Sequence, residues 1–299
     1  MAVGGYGNYT DDFIPVLSDV EVLDPTKEDS SCTAPPNYPQ AASHMTSQAI
    51  CGTLVCGGDS GLYLNNCYEY ANKRWIERPP LLHPRKFSSS VVINTSSMWI
   101  SGGSAWRGES AETTSEIISI DQGIPILGVD LPEKMSKHCS ASINTTHVFL
   151  AGNYYNTKMA YIVDTSTSPF KFIKLPPLLG NREAAGCGVS VSETKDTQLI
   201  VAGGYDWSGA MLMTSELYSI KQKQWVDGPA LPRGFEHGAS VSNKEHPLML
   251  IGGQDENGNV RGDIMDYDAK TNSFQILPGQ LKTPRKVFSV VGLKTEDIC

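Results

Sequence analysis

Few groups in this 299-residue chain could do chemistry, and they are scattered. Three of its six histidines, His44, His138 and His237, stand at the start of short apolar runs. Three imidazoles gathered around an axis could hold a divalent metal. No carboxylate or cysteine shares their spacing, and a histidine at a strand start can equally hydrogen-bond there. No metal or other cofactor is therefore expected. The seven cysteines, Cys32, Cys51, Cys56, Cys67, Cys139, Cys187 and Cys299, form no paired C-x-x-C clusters of the zinc-binding kind. No G-x-S-x-G nucleophile elbow occurs. Four arginines remain: Arg85, Arg182, Arg233 and Arg285, each ahead of a short apolar run. A guanidinium there could clamp a partner's carboxylate or tie strand ends and carbonyls inside the protein. Both roles stay open at this level.

Composition narrows the classes. Hydrophobic residues make up 40% and charged residues 19%, enough for a sizeable core and against disorder. The net charge is −8 and no basic run stands out, which argues against a nucleic-acid face. No apolar stretch approaches the roughly 20 residues of a membrane span, so no membrane insertion is expected. The opening MAVGGYGNYT has neither a charged n-region nor an apolar h-region.

The elements that must position these residues declare themselves as a repeat. A diglycine follows a short apolar run at Gly4-Gly5, Gly57-Gly58, Gly102-Gly103, Gly203-Gly204 and Gly252-Gly253. A sixth copy reads Gly152-Asn153, and asparagine is the best substitute for glycine where φ is positive. Successive copies lie 45 to 53 residues apart. Each is followed by a loop and a second strand, such as ELYSI at 216–220. A third, weaker strand often holds tryptophan and runs into a Leu-Pro turn. A fourth, such as SSSVVI or GASV, precedes the next diglycine. Four short strands per unit, six times over, predict a closed all-β ring of blades. The chain opens just before a diglycine, so the first blade lacks its own innermost strand. The stretch 285–291 is expected to supply it and close the ring. The whole chain, 1–299, is expected to form one such domain.

The order of apolar strand, Gly-Gly, loop, Glu-x-Tyr/Leu strand, Trp strand and Leu-Pro turn resembles the kelch repeat. That resemblance implies a six-bladed kelch-type β-propeller, all-β, with the C-terminal strand completing blade one. It also implies a non-enzymatic module that binds a protein or peptide partner. The loop after the diglycine and the loop leading into the innermost strand should share one face. The candidate binding residues on it are Tyr6, Arg85, Trp106, Arg107, Tyr154, Tyr155, Arg182, Tyr205, Trp207, Arg233, Phe235 and Arg285. Trp, Tyr and Arg are favoured at interface hot spots. The basic inner rim suggests an acidic peptide or a carboxylate-bearing ligand. Kelch-like enzymes also exist, but no Tyr-His copper-ligand pair and no Glu-x-x-x-Asp-x-x-x-His iron run occurs here. A carbohydrate or small-molecule enzyme with an axial pocket is a further alternative.

Two compartments compete. Intracellular kelch proteins include cullin adaptors with additional upstream domains and actin-binding proteins. A group of secreted animal kelch-like proteins is resembled by Cys56 in Cys-Gly-Gly, Cys67 opening the next strand, and Cys139 and Cys187 early in neighbouring inner strands. This implies disulfides Cys139–Cys187 and Cys56–Cys67 in a secreted protein. Buried reduced cysteines, packed as small apolar residues, are the alternative. Glycosylation sequons at Asn8, Asn94 and Asn144 fit the secreted reading. Turn chemistry alone also explains Asn94 and Asn144, which fall at the same hairpin of successive blades.

Overall fold

The computed structural model describes residues 1–7, 15–28, 35–50, 52–104, 111–119, 123–191 and 196–293. Trp106, Arg107, Asn8, Cys32, Cys51 and Cys299 lie outside the described residues. The described chain is a six-bladed β-propeller whose one helical element is a short 3-10 turn, Ala111–Thr113. Blades two to six are antiparallel sheets of four strands. In blade five these run, from the axis outward, Gly186–Val191, Thr197–Ala202, Ser215–Ser219 and Gln224–Asp227. Blade three ends in a two-residue outer strand, Ile126–Leu127, where the repeat has no tryptophan.

Closure occurs as the sequence predicts. Ser289–Val290 pairs with Ala2–Tyr6, and Val16–Glu21 lies on the other side of that strand. Blade one thus joins strands from both ends of the chain. Its second strand starts earlier than expected, at Val16 rather than Val20.

The diglycine answers to a close approach between blades. Gly57 has φ +68°, and a Cβ there would sit 2.6 Å from the Arg85 carbonyl oxygen, which leads into the next blade. At Gly58 a Cβ would sit 2.6 Å from the Ser43 carbonyl of its own blade. The Gly58 N–H meanwhile donates to the Arg85 carbonyl at 2.9 Å. Gly5, Gly103, Gly204 and Gly253 donate in the same way to Ala42, Met135, Phe235 and Arg285, at 2.6–2.9 Å. The last of these bonds crosses the seam from blade six to blade one.

Arginine and glutamate form a second repeated device, in alternate blades. Facing the residue two before each diglycine, the second strand carries Glu21, Glu116 and Glu216 in blades one, three and five. Each meets the arginine that leads into its blade. Arg85 bonds Glu116 at 2.6 Å and the Gly102 carbonyl at 2.7 Å. Arg182 bonds Glu216 at 2.7 Å and the Gly203 carbonyl at 3.0 Å. Arg285 bonds Glu21, Asp19 and the Gly4 carbonyl. The same carboxylates also cap the turn before the arginine: Glu216 accepts from Leu179 and Gly180, Glu116 from Leu82 and His83, Glu21 from Lys282 and Thr283. In blades two, four and six the paired positions hold Ala42 and Tyr68, Met135 and Tyr161, Phe235 and Met265. One slot is thus filled either by an ion pair or by packed neutral side chains.

Near the axis the innermost strands of adjacent blades are bridged by side chains. Ser289 meets Ser47, Thr46 meets Ser90, and Ser89 meets Ser140 at 2.6 Å. Ser242 accepts the Val189 N–H at 3.1 Å between blades five and six. Between blades four and five the bridge is covalent, Cys139–Cys187, with the Cα atoms 5.5 Å apart. Cys56 and Cys67 face each other in neighbouring strands of blade two and are also joined.

Two stability predictions follow from these contacts. Gly57→Ala places a methyl against backbone as well as straining φ. It should cost about 3 kcal/mol or more in urea unfolding. Gly61→Ala, at φ +94° with nothing within 4 Å of a Cβ, should cost only the strain of about 1–2 kcal/mol. Equal losses would rule out the carbonyl approach as the reason for the motif. Arg182→Met strands a buried carboxylate and should cost about 3–5 kcal/mol. Adding Glu216→Tyr, which copies blade four into blade five, should recover most of that loss.

Candidate functional site

The loops after the diglycines and the loops leading into the inner strands lie on one face, as expected. They touch through single bridges: Tyr6 with Lys286, Ser43 with Asp59, Lys86 with Ser104, Glu183 with Tyr205, and Glu236 with Gln254. Together they surround the mouth of an axial channel of about 210 Å³. Eight serine and threonine residues contribute to its wall, with His138 among them.

Six residues at the mouth have positive φ although none is glycine: His44, Phe87, Lys137, Ala184, His237 and Val287, at 49–58°. They occupy one equivalent position in each blade. Backbone bonds link them between blades: Lys137 to Phe87 at 3.0 Å, Ala184 to Lys137 at 2.9 Å, Val287 to His237 at 2.6 Å, and His44 to Val287 at 2.7 Å. Left-handed backbone is uncommon outside glycine, and Val is among the residues that resist it most. The belt of bonds offsets the strain and fixes the mouth. Nothing in the residue types announces this ring. Only the fixed offset from the arginine position could have located it.

The candidate residues divide into two groups. Arg85, Arg182, Arg285, Arg233 and Phe235 are buried. Arg233 reaches the Gly252 carbonyl and pairs with Asp263 at 2.8 Å, because Phe235 fills the position arginine holds in blades one, three and five. These five residues cannot touch a partner at the surface. The arginines are neutralised by internal carboxylates, so the basic rim that suggested an acidic ligand is not displayed. The other described candidates are on the face. Tyr6 stands edge-on to His44 with ring centroids 5.8 Å apart, and Tyr205 packs beside His237 at 5.5 Å. Tyr154 and Tyr155 are 55% and 44% exposed, and Trp207 is 79% exposed.

The three histidines do not converge on a metal position. His44 bonds the Ser43 hydroxyl at 2.8 Å and stacks edge-on against Phe87 at 4.1 Å. His138 Nε2 lies 2.8 Å from the Ser101 hydroxyl. His237 faces Glu236 at 3.7 Å. Among the described residues no group of three His, Cys, Asp or Glu could hold a metal ion. Burial, then His237 and Lys86, pushes His44 down to about 3. Burial alone takes His138 to about 4. Both rings are neutral at physiological pH.

Charge at the mouth is internally matched. Lys86 pairs with Asp59 at 2.6 Å. Burial raises the Asp59 carboxyl, but the Lys86 bond and the Gly61 N–H hold it below the usual range. Burial and the neighbouring Glu183 push the Tyr205 phenol up. On the opposite hairpins, Asn94 and Asn144 each accept the N–H two residues on at 2.9 Å. Asn243 does the same at 2.8 Å without forming a sequon, so turn chemistry accounts for all three asparagines.

No family model matches the chain. It is 32% identical over 103 residues to alpha-scruin of Limulus polyphemus, a match covering 33% of this chain and 11% of that protein. It is 26% identical over 162 residues to the F-box/kelch-repeat protein SKIP20 of Arabidopsis thaliana, covering 50% of this chain and 38% of that one. The chain thus spans well under half the length of either relative. The solved structure of YjhT superposes with a TM-score of 0.73 at 15% identity, over 92% of this chain and 97% of that one, a likeness of fold. With its diglycine repeated on six blades and a kelch-repeat protein among its sequence relatives, the chain is a kelch-repeat β-propeller.

Proposed function

We propose that this propeller is a non-enzymatic module that holds a protein or peptide partner against the rim of loops around its mouth. The exposure of Trp207, 79%, carries the reading, with Tyr154 and Tyr155 exposed in the neighbouring blade. A large aromatic left in water beside a rigid groove is the usual anchor of an interface. The belt of backbone bonds supports the same reading, because preorganised loops lower the ordering cost of association. We further propose that it works outside the cell. Two disulfides, one between blades and one within a blade, fit an oxidising compartment. A second reading, substrate recognition within an intracellular protein such as a cullin adaptor or an actin-binding protein, is favoured by the F-box/kelch-repeat relative.

Affinity capture from the natural source separates the rim from the rest of the surface. The double variant Trp207→Ser, Tyr154→Ser should lose at least about tenfold of whatever the unmodified ring retains. Ile276→Ser, on the outer strand of blade six, should lose nothing. Undiminished capture by the double variant would sink this face. Non-reducing peptide mapping of the native protein decides the compartment. A Cys139–Cys187 linkage or a glycan on Asn94 or Asn144 is the expected result. Free thiols and bare asparagines would favour the intracellular reading.

A further inference from the structure

The Lys137 ammonium stands at the mouth among three aromatic rings from three blades. Its Nζ lies 5.0 Å from the centroid of Tyr154, 5.2 Å from Tyr205 and 5.4 Å from Phe87. It donates to the Tyr205 hydroxyl and sits 3.6 Å from Glu183 Oε2. Glu183 is only 6% exposed, and that oxygen accepts no hydrogen bond. A carboxylate oxygen at this depth needs a cation beside it. Ring faces attract the same charge, most strongly once water is excluded. Two ring faces, a phenol hydroxyl and one acid are partners that an ammonium ion can use, and the present occupant is the chain's own lysine.

We propose that this cage is a recognition site for a partner's cationic group, a lysine side chain or a quaternary ammonium, kept shut by Lys137. The proposal rests on the rim reading, since the partner must arrive at this face. Opening needs only side-chain rotation, because the Lys137 backbone is held on both sides by its bonds to Phe87 and Ala184. Tyr154, half of it in solvent, lies at the outer edge of the cage. The neighbouring loops of blades five and six add Asp206, Glu236 and Glu256, the sign that a cation seeks.

Lys86 has a similar setting, over Tyr63 at 4.3 Å and beside Phe87 at 5.4 Å. Its bond to Asp59, however, is a tight 2.6 Å, whereas Lys137 and Glu183 are 3.6 Å apart. Charge-assisted bonds weaken quickly over that difference. Lys137 is therefore the lysine that can be displaced. As a tethered ligand it competes at high effective concentration, so a free cation enters the unmodified cage poorly.

Lys137→Ala empties the cage, and its backbone has a precedent: Ala184 holds the same left-handed position two places on from Arg182 in the next blade. Choline titrated by calorimetry into the full-length variant should bind saturably, at least about tenfold tighter than its neutral isostere 3,3-dimethylbutan-1-ol. It should also bind at least about tenfold tighter than to the unmodified protein. Adding Glu183→Gln should abolish the preference for charge. Absence of saturable choline binding by a folded Lys137→Ala ring, or equal binding of the isostere, overturns the proposal. Should the alanine variant not fold, Lys137→Asn, better tolerated at positive φ, takes the same test. The rim reading stands or falls separately, with Trp207→Ser alone, which leaves the cage residues in place.

Discussion

The contact between a glycine and the carbonyl of the next blade is the constraint on which the ring depends. A propeller blade buries its faces only against its neighbours, so every blade needs a fixed way to meet the next. Here the meeting point is backbone against backbone, with no room for a Cβ: in all six blades a methyl on the first residue of the motif would lie 2.3–2.9 Å from the oxygen that leads into the next blade. In the five glycine copies the N–H of the second residue donates to that same oxygen. Because the same bond closes the seam between Gly253 and Arg285, the two ends of the chain meet by the rule that joins four of the other five pairs of blades.

Arginine and glutamate depend on this geometry. Once the first glycine is fixed, its carbonyl points into a slot between turn and strand. Arg85, Arg182 and Arg285 fill that slot and pair with an acid that also holds the preceding turn. Yet Met135 with Tyr161 fills it as well, and Tyr161 reaches Glu133 of the same turn at 2.9 Å. An ion pair taken out of water gains little over a well-packed neutral pair. The ring shows the two solutions side by side, with Arg233 reaching the Gly252 carbonyl beside Phe235 in blade six, and places the arginines in architecture rather than in recognition.

The blade count, the diglycines and the C-terminal closing strand were legible because each is a periodic, backbone-level demand. The loop face was legible for the same reason: once strands are assigned, topology fixes which loops share an end. The roles of Arg85, Arg182, Arg233 and Arg285 were not, because a guanidinium before a strand reads alike whether it turns in or out. Burial decides it, and burial follows from Glu116, Glu216, Asp263, Asp19 and Glu21, residues about 30 positions away or across the chain ends. The left-handed ring left little trace in residue type: histidine, at two positions, accepts that backbone more often than most, but Phe, Lys, Ala and Val do not. Tertiary bonds impose that conformation against local preference.

The same ring explains why the mouth can be both rigid and selective. Its backbone is held by bonds that run from blade to blade, while the side chains at those positions are of five kinds: two histidines, a phenylalanine, a lysine, an alanine and a valine. Variation at these positions is carried by groups at the mouth, on a backbone that the blade-to-blade bonds hold in place. A repeat fold that must keep its inter-blade contacts identical has few other places to be individual. Phe87 lies between Lys86 and Lys137, and His44 stays uncharged beside them. Each of these two lysines is paired with aromatic rings and with a carboxylate, Asp59 or Glu183. Such a surface offers an arriving anion little free charge, and an arriving cation a set of partners already arranged for one.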